Sequence, residues 1–214
     1  MRTEVIHVGN ENAQHRAVEV LKGGGLVAFS TDTVYGLAAL PWNLDALAHL
    51  LEAKQRRPDK PIPLLLSDAD QLDRVATIPR RFRRQARRLI THFWPGGLTL
   101  VLPKTEIVPS LISPNHTVGV RVPNLLLSRM IIQSAGGVLA VTSANISGQL
   151  SPITAQEVKE QLGGRIELIL DDGPTLGGIP SSVLDCTVSP PSLLRHGAVT
   201  EVALCAVIGS IQAG

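Results

Sequence analysis

Leu26-Val27-Ala28-Phe29 is apolar from end to end, preceded by Gly23-Gly24-Gly25 and followed by Ser30-Thr31-Asp32. A run this short and unbroken suits a strand buried on both faces, since a half-exposed strand would alternate polar and apolar side chains. Related apolar strands are expected over 62–66, 98–102 and 138–141. Sheets covered on both sides need helices, and the sequence supplies them. Residues 12–22 carry Ala13, Ala17, Val18 and Leu21 at helical spacing, and the three glycines end the helix. Asn43 can cap a helix to about Ala53. Further helices are expected from near Asp68, from Pro79 to before Pro95, over 124–133, and from Ser151-Pro152. Strands are expected at 117–122, 167–170, 182–186 and 192–195, with a weak apolar segment closing the chain. Strands and helices alternate without a low-complexity linker or repeat. The fold class is therefore α/β (α+β), with a twisted mixed parallel/antiparallel sheet flanked by helices. One domain is expected over residues 1–214.

Charge is distributed unevenly. Arg80, Arg81, Arg83, Arg84, Arg87 and Arg88 stand within nine residues, and taking them from the net charge of +2 leaves the remainder at −4. The basic balance thus reports one segment, and a solvated helix face is its ordinary explanation. Six aromatic residues are too few for a base-stacking platform on single-stranded nucleic acid. Cys186 and Cys205 lie among apolar residues without CxxC spacing, as buried thiols of a reducing compartment do. The N-terminus lacks the layout of a signal peptide, and no apolar run approaches the ~18 residues of a membrane helix, so the cytoplasm is the expected location.

Nucleotide signatures of the Walker and Rossmann kinds are absent, as are GxSxG, HExxH and any Cys/His grouping with metal-ligand spacing. What remains is phosphate recognition by discrete cations, hydroxyls and turn amides. Lys54, Arg56, Arg57 and Lys60 crowd one loop stiffened by Pro58 and Pro61. Thr31, Thr33 and Tyr35 follow one apolar strand, and Ser143, Asn145 and Ser147 follow another, where sheet topology commonly places ligand contacts. Arg121 sits between Val120 and Val122, so it faces a cavity or a carboxylate, or lies on an edge strand and points to water. Arg195 repeats that pattern, and Ser181 and Ser182 add hydroxyls at another strand entrance. Each feature alone has a structural explanation; together they point to one pocket for a polyanionic small molecule.

Seven segments in this order resemble the YrdC/Sua5 family: S-T-D-T-V-Y-G-L, K-Q-R-R-P-D-K-P, W-P-G-G-L-T-L-V, V-G-V-R-V-P, T-S-A-N-I-S-G-Q-L-S-P, S-S-V-L-D and L-L-R-H-G. The resemblance covers about residues 12–200 and implies a YrdC-like domain of the short, single-domain form. It implies synthesis of threonylcarbamoyl-AMP and pyrophosphate from L-threonine, bicarbonate and ATP, for the t6A modification of tRNA. By position, Thr33, Arg121, Val141 (through its main chain) and Ser181 would hold threonine. Lys54, Arg56, Lys60, Thr117, Ser143, Asn145, Ser151 and Arg195 would surround ATP, with Lys54 and Arg56 as the catalytic cations. Arg121 would find its partner in the threonine carboxylate. Mg²⁺ would arrive with ATP, with no dedicated protein metal site. Partners implied are the threonylcarbamoyl transferase proteins downstream and tRNA, with no membrane. The chain departs from the family at Arg57, where many members have proline, and near Leu65, where some have histidine. Two other readings stay open: an RNA-binding module of the same fold using a basic surface, and a paralogue with altered activity. Steep loss of RNA affinity with salt would mark the first.

Overall fold

The computed structural model describes residues 2–213. Its strands are β1 (Glu4–His7), β2 (Val27–Phe29), β3 (Gly36–Ala39), β4 (Leu64–Leu66), β5 (Leu98–Pro103), β6 (Thr117–Arg121), β7 (Val138–Ser143), β8 (Leu168–Asp171), β9 (Ser182–Asp185), β10 (Ser192–Arg195) and β11 (Gln212–Ala213). Its α-helices are α1 (Ala13–Lys22), α2 (Leu44–Ala53), α3 (Leu72–Val75), α4 (Arg83–Phe93), α5 (Leu126–Ser134), α6 (Ala155–Leu162) and α7 (Glu201–Ile208). Among the described residues the strands form one sheet in the order β1-β8-β2-β3-β7-β4-β6-β5-β9-β10-β11. Parallel pairs (β1/β8, β2/β8, β4/β6, β5/β9, β10/β11) and antiparallel pairs (β2/β3, β3/β7, β4/β7, β5/β6, β9/β10) share it, which is the mixed sheet expected.

Several boundaries moved, each for a local reason. Asn43 does cap α2, its side chain accepting from the Ala46 amide at 3.0 Å, a contact worth ~1 kcal/mol. The helix expected from Ser151-Pro152 begins instead after Thr154, whose hydroxyl accepts from the Glu157 amide at 3.2 Å. Meanwhile Pro152 offers its carbonyl to the Tyr35 amide at 2.9 Å and so belongs to the loop. The strand at 62–66 shortens to β4, because Pro63 cannot donate to a ladder. Beyond Asp68 the helix is only a 3-10 turn followed by the single turn α3. Pro79 opens a 3-10 turn that leads into α4. In α1 Val20, rather than Val18, joins Ala13, Ala17 and Leu21 in the core. The weak closing segment is a helix, α7, capped by Thr200. Cys186 is buried as expected, and burial pushes its thiol well above the ordinary range; Cys205 is only half-buried.

Strand alternation divides the sheet into two faces. One face packs Leu64, Leu66, Val118, Val120, Leu98, Leu100 and Leu184 against α2, α4 and α7. On the other, Phe29, Leu65, Leu139 and Val141 pack with α1 and α5. That helix cover ends near β4. Beyond it, the same face of β6, β5 and β9 turns Thr117, Gly119, Arg121, Thr99, Val101, Val183 and Asp185 toward open space.

Candidate active site

The end of β2, the start of β3, the end of β7 and the loop before β4 meet at one end of the sheet. Register fixes this: Phe29 pairs with Gly36, Gly36 with Ser143, and Leu64 with Ala140. Gly36 is required here, because a β-carbon would stand 2.7 Å from Val141 Cγ1. The hydroxyl turn, the Ser143 turn and the cationic loop are thereby brought to the uncovered face, around a cleft of about 490 Å³.

Thr33, Arg56, Thr117, Arg121, Val141, Ser143, Ser151, Ser181 and Arg195 all line this cleft. Lys54, Lys60 and Asn145 do not, and Lys60 points outward in the exposed loop. Arg57 turns from the cleft to Asp59, which accepts from both Nε (3.0 Å) and Nη2 (2.7 Å), so the extra cation of this chain is spent within the loop. Leu65 keeps its place in the lining as an apolar wall.

Arg121 faces both the cleft and a carboxylate. Its partner is Asp32, which accepts from Nη2 at 2.5 Å, while Nε donates to the Gly96 carbonyl at 2.8 Å and Nη1 to Thr33 Oγ1 at 3.0 Å. The Asp32 carboxylate is 16% exposed against 6% for the Arg121 side chain, so the pair is largely dry. Burial lowers the Arg121 pKa while Asp32 opposes that shift. Of its five donors, three are engaged, leaving one N–H on each terminal nitrogen for a ligand.

Arg195 is held at the rim by Ser181, its Nε donating to the Ser181 carbonyl at 2.9 Å and Nη2 to Oγ at 3.0 Å. Ser181 Oγ also lies 2.8 Å from Thr99 Oγ1. Desolvation first, then Arg121 and Arg56, lower the Arg195 pKa, which places three guanidiniums within electrostatic reach of one another. Arg56 donates from Nη2 to the Pro61 carbonyl at 2.8 Å, and its buried Nε has no partner among the described residues. Desolvation is again the main cause lowering its pKa. Three cations held together without enough carboxylates to neutralise them favour an anionic ligand.

Lys54 is 1% exposed and lies behind the cleft wall. Its Nζ donates to the carbonyls of Ser143 and of Asn145 (2.5 Å for the latter), and Ser147 N donates back to the Lys54 carbonyl at 2.9 Å. Burial, reinforced by Arg56, lowers its pKa to about 7. The lysine stem thus ties the cationic loop to the Ser143 turn. In that turn Ser143 Oγ donates to Asn145 Oδ1, and Asn145 Nδ2 to the carbonyls of Ile146 and Gln149, both at 2.8 Å.

Sequence reasoning passed over Asp32, Asn115, Pro63 and Asp185 as parts of this site. The Thr31 hydroxyl lies 2.9 Å from Thr33 Oγ1 and donates to the Val34 carbonyl at 2.7 Å, shaping the turn. Tyr35 anchors it from below, its hydroxyl donating to the Gly173 carbonyl at 2.7 Å, with burial raising its pKa to about 12. Period-two alternation along 181–185 was the available signal for Asp185, since Ser181 and Asp185 share a face.

A mixed α/β sheet with one face open over a cluster of guanidiniums and hydroxyls is an arrangement suited to holding a small anionic molecule. The Sua5/YciO/YrdC family model, described as telomere recombination, matches residues 19–197, and the chain belongs to that family. It is 41% identical over 197 residues to a threonylcarbamoyl-AMP synthase of Pyrococcus abyssi, and 41% identical over 200 residues to one of Bacillus subtilis. Each match covers 92% of this chain, which spans 57% of the length of both relatives. The solved structure of P. abyssi Sua5 complexed with L-threonine superposes with a TM-score of 0.92 at 38% identity, covering 100% of this chain and 63% of that one.

Proposed function

We propose that the chain is a nucleotidyltransferase that makes threonylcarbamoyl-AMP and pyrophosphate from L-threonine, bicarbonate and ATP. The observation that carries this reading is the joining of an Arg121–Thr33–Ser181 pocket to two further guanidiniums, Arg56 and Arg195, in one cleft. The relatives' names and the threonine-bound neighbour support it.

In this reading the free N–H groups of Arg121 take the threonine carboxylate, with the Thr33 and Ser181 hydroxyls beside it. The threonine amine combines with bicarbonate, releasing water, to give a carbamate. A carbamate oxygen then bonds to the α-phosphorus of ATP as the bond to the bridging oxygen breaks, and pyrophosphate leaves with that electron pair. No covalent bond to the protein is needed. Arg56 and Arg195 offset the charge that gathers on the phosphates, and fixed positioning supplies much of the acceleration. Lys54 acts through the Ser143–Asn145 turn it holds, so its part is to position hydroxyl and amide donors.

The donors available for a metal are one carboxylate, Asp185, among hydroxyls and cations. Among the described residues no group of three or more histidine, cysteine, aspartate or glutamate side chains could hold an ion. That set suits Mg²⁺ carried on triphosphate oxygens, where it would neutralise phosphate charge. The product would pass to threonylcarbamoyl transferase proteins acting on tRNA. Among the described residues no helix is long and apolar enough to cross a membrane. The test is pyrophosphate release by the purified chain: it should require ATP, threonine and bicarbonate together, and release that ignores threonine would contradict the proposal.

A further inference from the structure

Asp185 is the one acidic residue among those lining the cleft, and the threonine pocket and the phosphate cations leave it without a task. Strand pairing locates it. Arg121, Thr99 and Val183 form one row across β6, β5 and β9, and Gly119, Val101 and Asp185 form the next. Asp185 therefore ends β9, four residues from Ser181, which immediately precedes that strand, roughly 13 Å at strand rise. Ser181 is where Arg195 is anchored, so the carboxylate stands well away from that end of the cleft.

Its neighbours along the sheet are apolar. Val101 pairs with it and Val183 stands two residues before it on the same face, Pro63 borders Gly119, and Gly119 keeps the floor between them flat. A β-carbon on Gly119 would already meet Thr99 Cγ2 at 3.2 Å. Asn115 and Thr117 supply polar edges beside this patch. One carboxylate oxygen of Asp185 is engaged, Oδ1 accepting from the Thr187 amide at 2.8 Å and from its hydroxyl at 2.6 Å. Among the described residues no hydrogen bond is made by Oδ2. A carboxylate held rigid through one oxygen presents the other as an acceptor only.

We propose that Asp185 is a selectivity residue that accepts hydrogen bonds from the nucleoside part of the nucleotide. This rests on the ATP-dependent reading above. A carboxylate repels phosphate, so it also sets direction: the triphosphate lies toward Arg195, and the nucleoside toward Asp185. The donors it can read are a ribose hydroxyl or the exocyclic amine of the base, and both share the same chemistry.

The experiment compares wild type and Asp185→Asn by calorimetric binding of ATP, 2′-deoxyATP and the triphosphate of purine riboside, which lacks the 6-amino group. In the variant the amide oxygen can keep both Thr187 bonds, so the fold is preserved, and its NH₂ faces the cleft. A hydrogen bond to a charged group contributes about 1.5–3 kcal/mol, so ATP should bind at least about tenfold more weakly to the variant. One analogue should bind wild type and variant within twofold, and which one it is identifies the hydroxyl or the amine. Equal losses for all three nucleotides would assign Asp185 a structural role through Thr187 and overturn the inference. Unchanged ATP binding, or a changed Mg²⁺ requirement with unchanged nucleoside selectivity, would overturn it too. Wild type that binds no ATP would overturn the ATP-dependent reading along with this one.

Discussion

The chain carries two concentrations of positive charge, and they lie on opposite faces of the sheet. In α4 and the turn before it, Arg80, Arg81, Arg83, Arg84, Arg87 and Arg88 are all exposed, while Phe82, Ala86 and Leu89 face the core. Among the described residues no ion pair holds any of them. At the cleft, Arg56, Arg121 and Arg195 in the lining and Lys54 behind its wall are fewer, and Arg195 keeps an exposed side, yet desolvation is the leading cause of the pKa shift of every one. Charge in water is screened within about 10 Å and costs little to keep. Charge held in a dry, shaped cleft is costly unless a ligand meets it. The difference teaches that confinement, more than number, marks cations that act.

The largest test of this contrast is Arg195→Ala. Its side chain sits at the rim, so the fold should survive, while threonine- and bicarbonate-dependent pyrophosphate release falls by about a thousandfold, at the upper end of what one preorganised donor supplies. Activity within tenfold of wild type would move the phosphates elsewhere. Next is Asp32→Asn, which leaves the Arg121 charge uncompensated in a buried setting. Denaturant unfolding should show a loss of roughly 3 kcal/mol, as for other broken buried pairs, and a loss below ~1 kcal/mol would mean that the pair is effectively solvated.

Lys54→Met probes the same contrast through pH. With a folded pKa of about 7 against an ordinary 10.5, folded Lys54 gives up its proton well before the unfolded chain does. Below pH 7 both states hold the proton and wild type bears its full desolvation cost. Above pH 7 the unfolded state binds more protons, so the stability of wild type relative to Lys54→Met should rise, with a slope approaching ~1.4 kcal/mol per pH unit until the unfolded lysine titrates. A flat difference between pH 7 and 9.5 would show that the carbonyls of Ser143 and Asn145 hold the ammonium charged. The smallest effect belongs to the surface cluster. Replacing Arg80, Arg84 and Arg87 together by alanine should change turnover by less than about twofold and stability by no more than ~0.5 kcal/mol per site.

Much of this architecture was legible in the chain. Apolar runs announced β2 and β7, and alternation around Arg121 announced a polar group aimed at a cavity. The partner of that arginine was not legible, because Asp32 looked like an ordinary turn carboxylate until the loop folded back over β6. β3 went unread, since Gly36-Leu37-Ala38-Ala39 has little strand propensity and gains its conformation from β2 and β7 on either side. Lys54 misled for a related reason. A long flexible stem in a cationic loop reads as a rim charge, and only the packing of that loop against the Ser143 turn turns it inward.

The central claim is that the cleft joins threonine, bicarbonate and ATP. Mass spectrometry of products formed by the purified chain from ATP, threonine and ¹³C-bicarbonate tests it most directly. The account predicts threonylcarbamoyl-AMP one mass unit heavier than its unlabelled form, with an equal amount of pyrophosphate. Adenylate products that carry no ¹³C, or ATP left intact with all three substrates present, would contradict it.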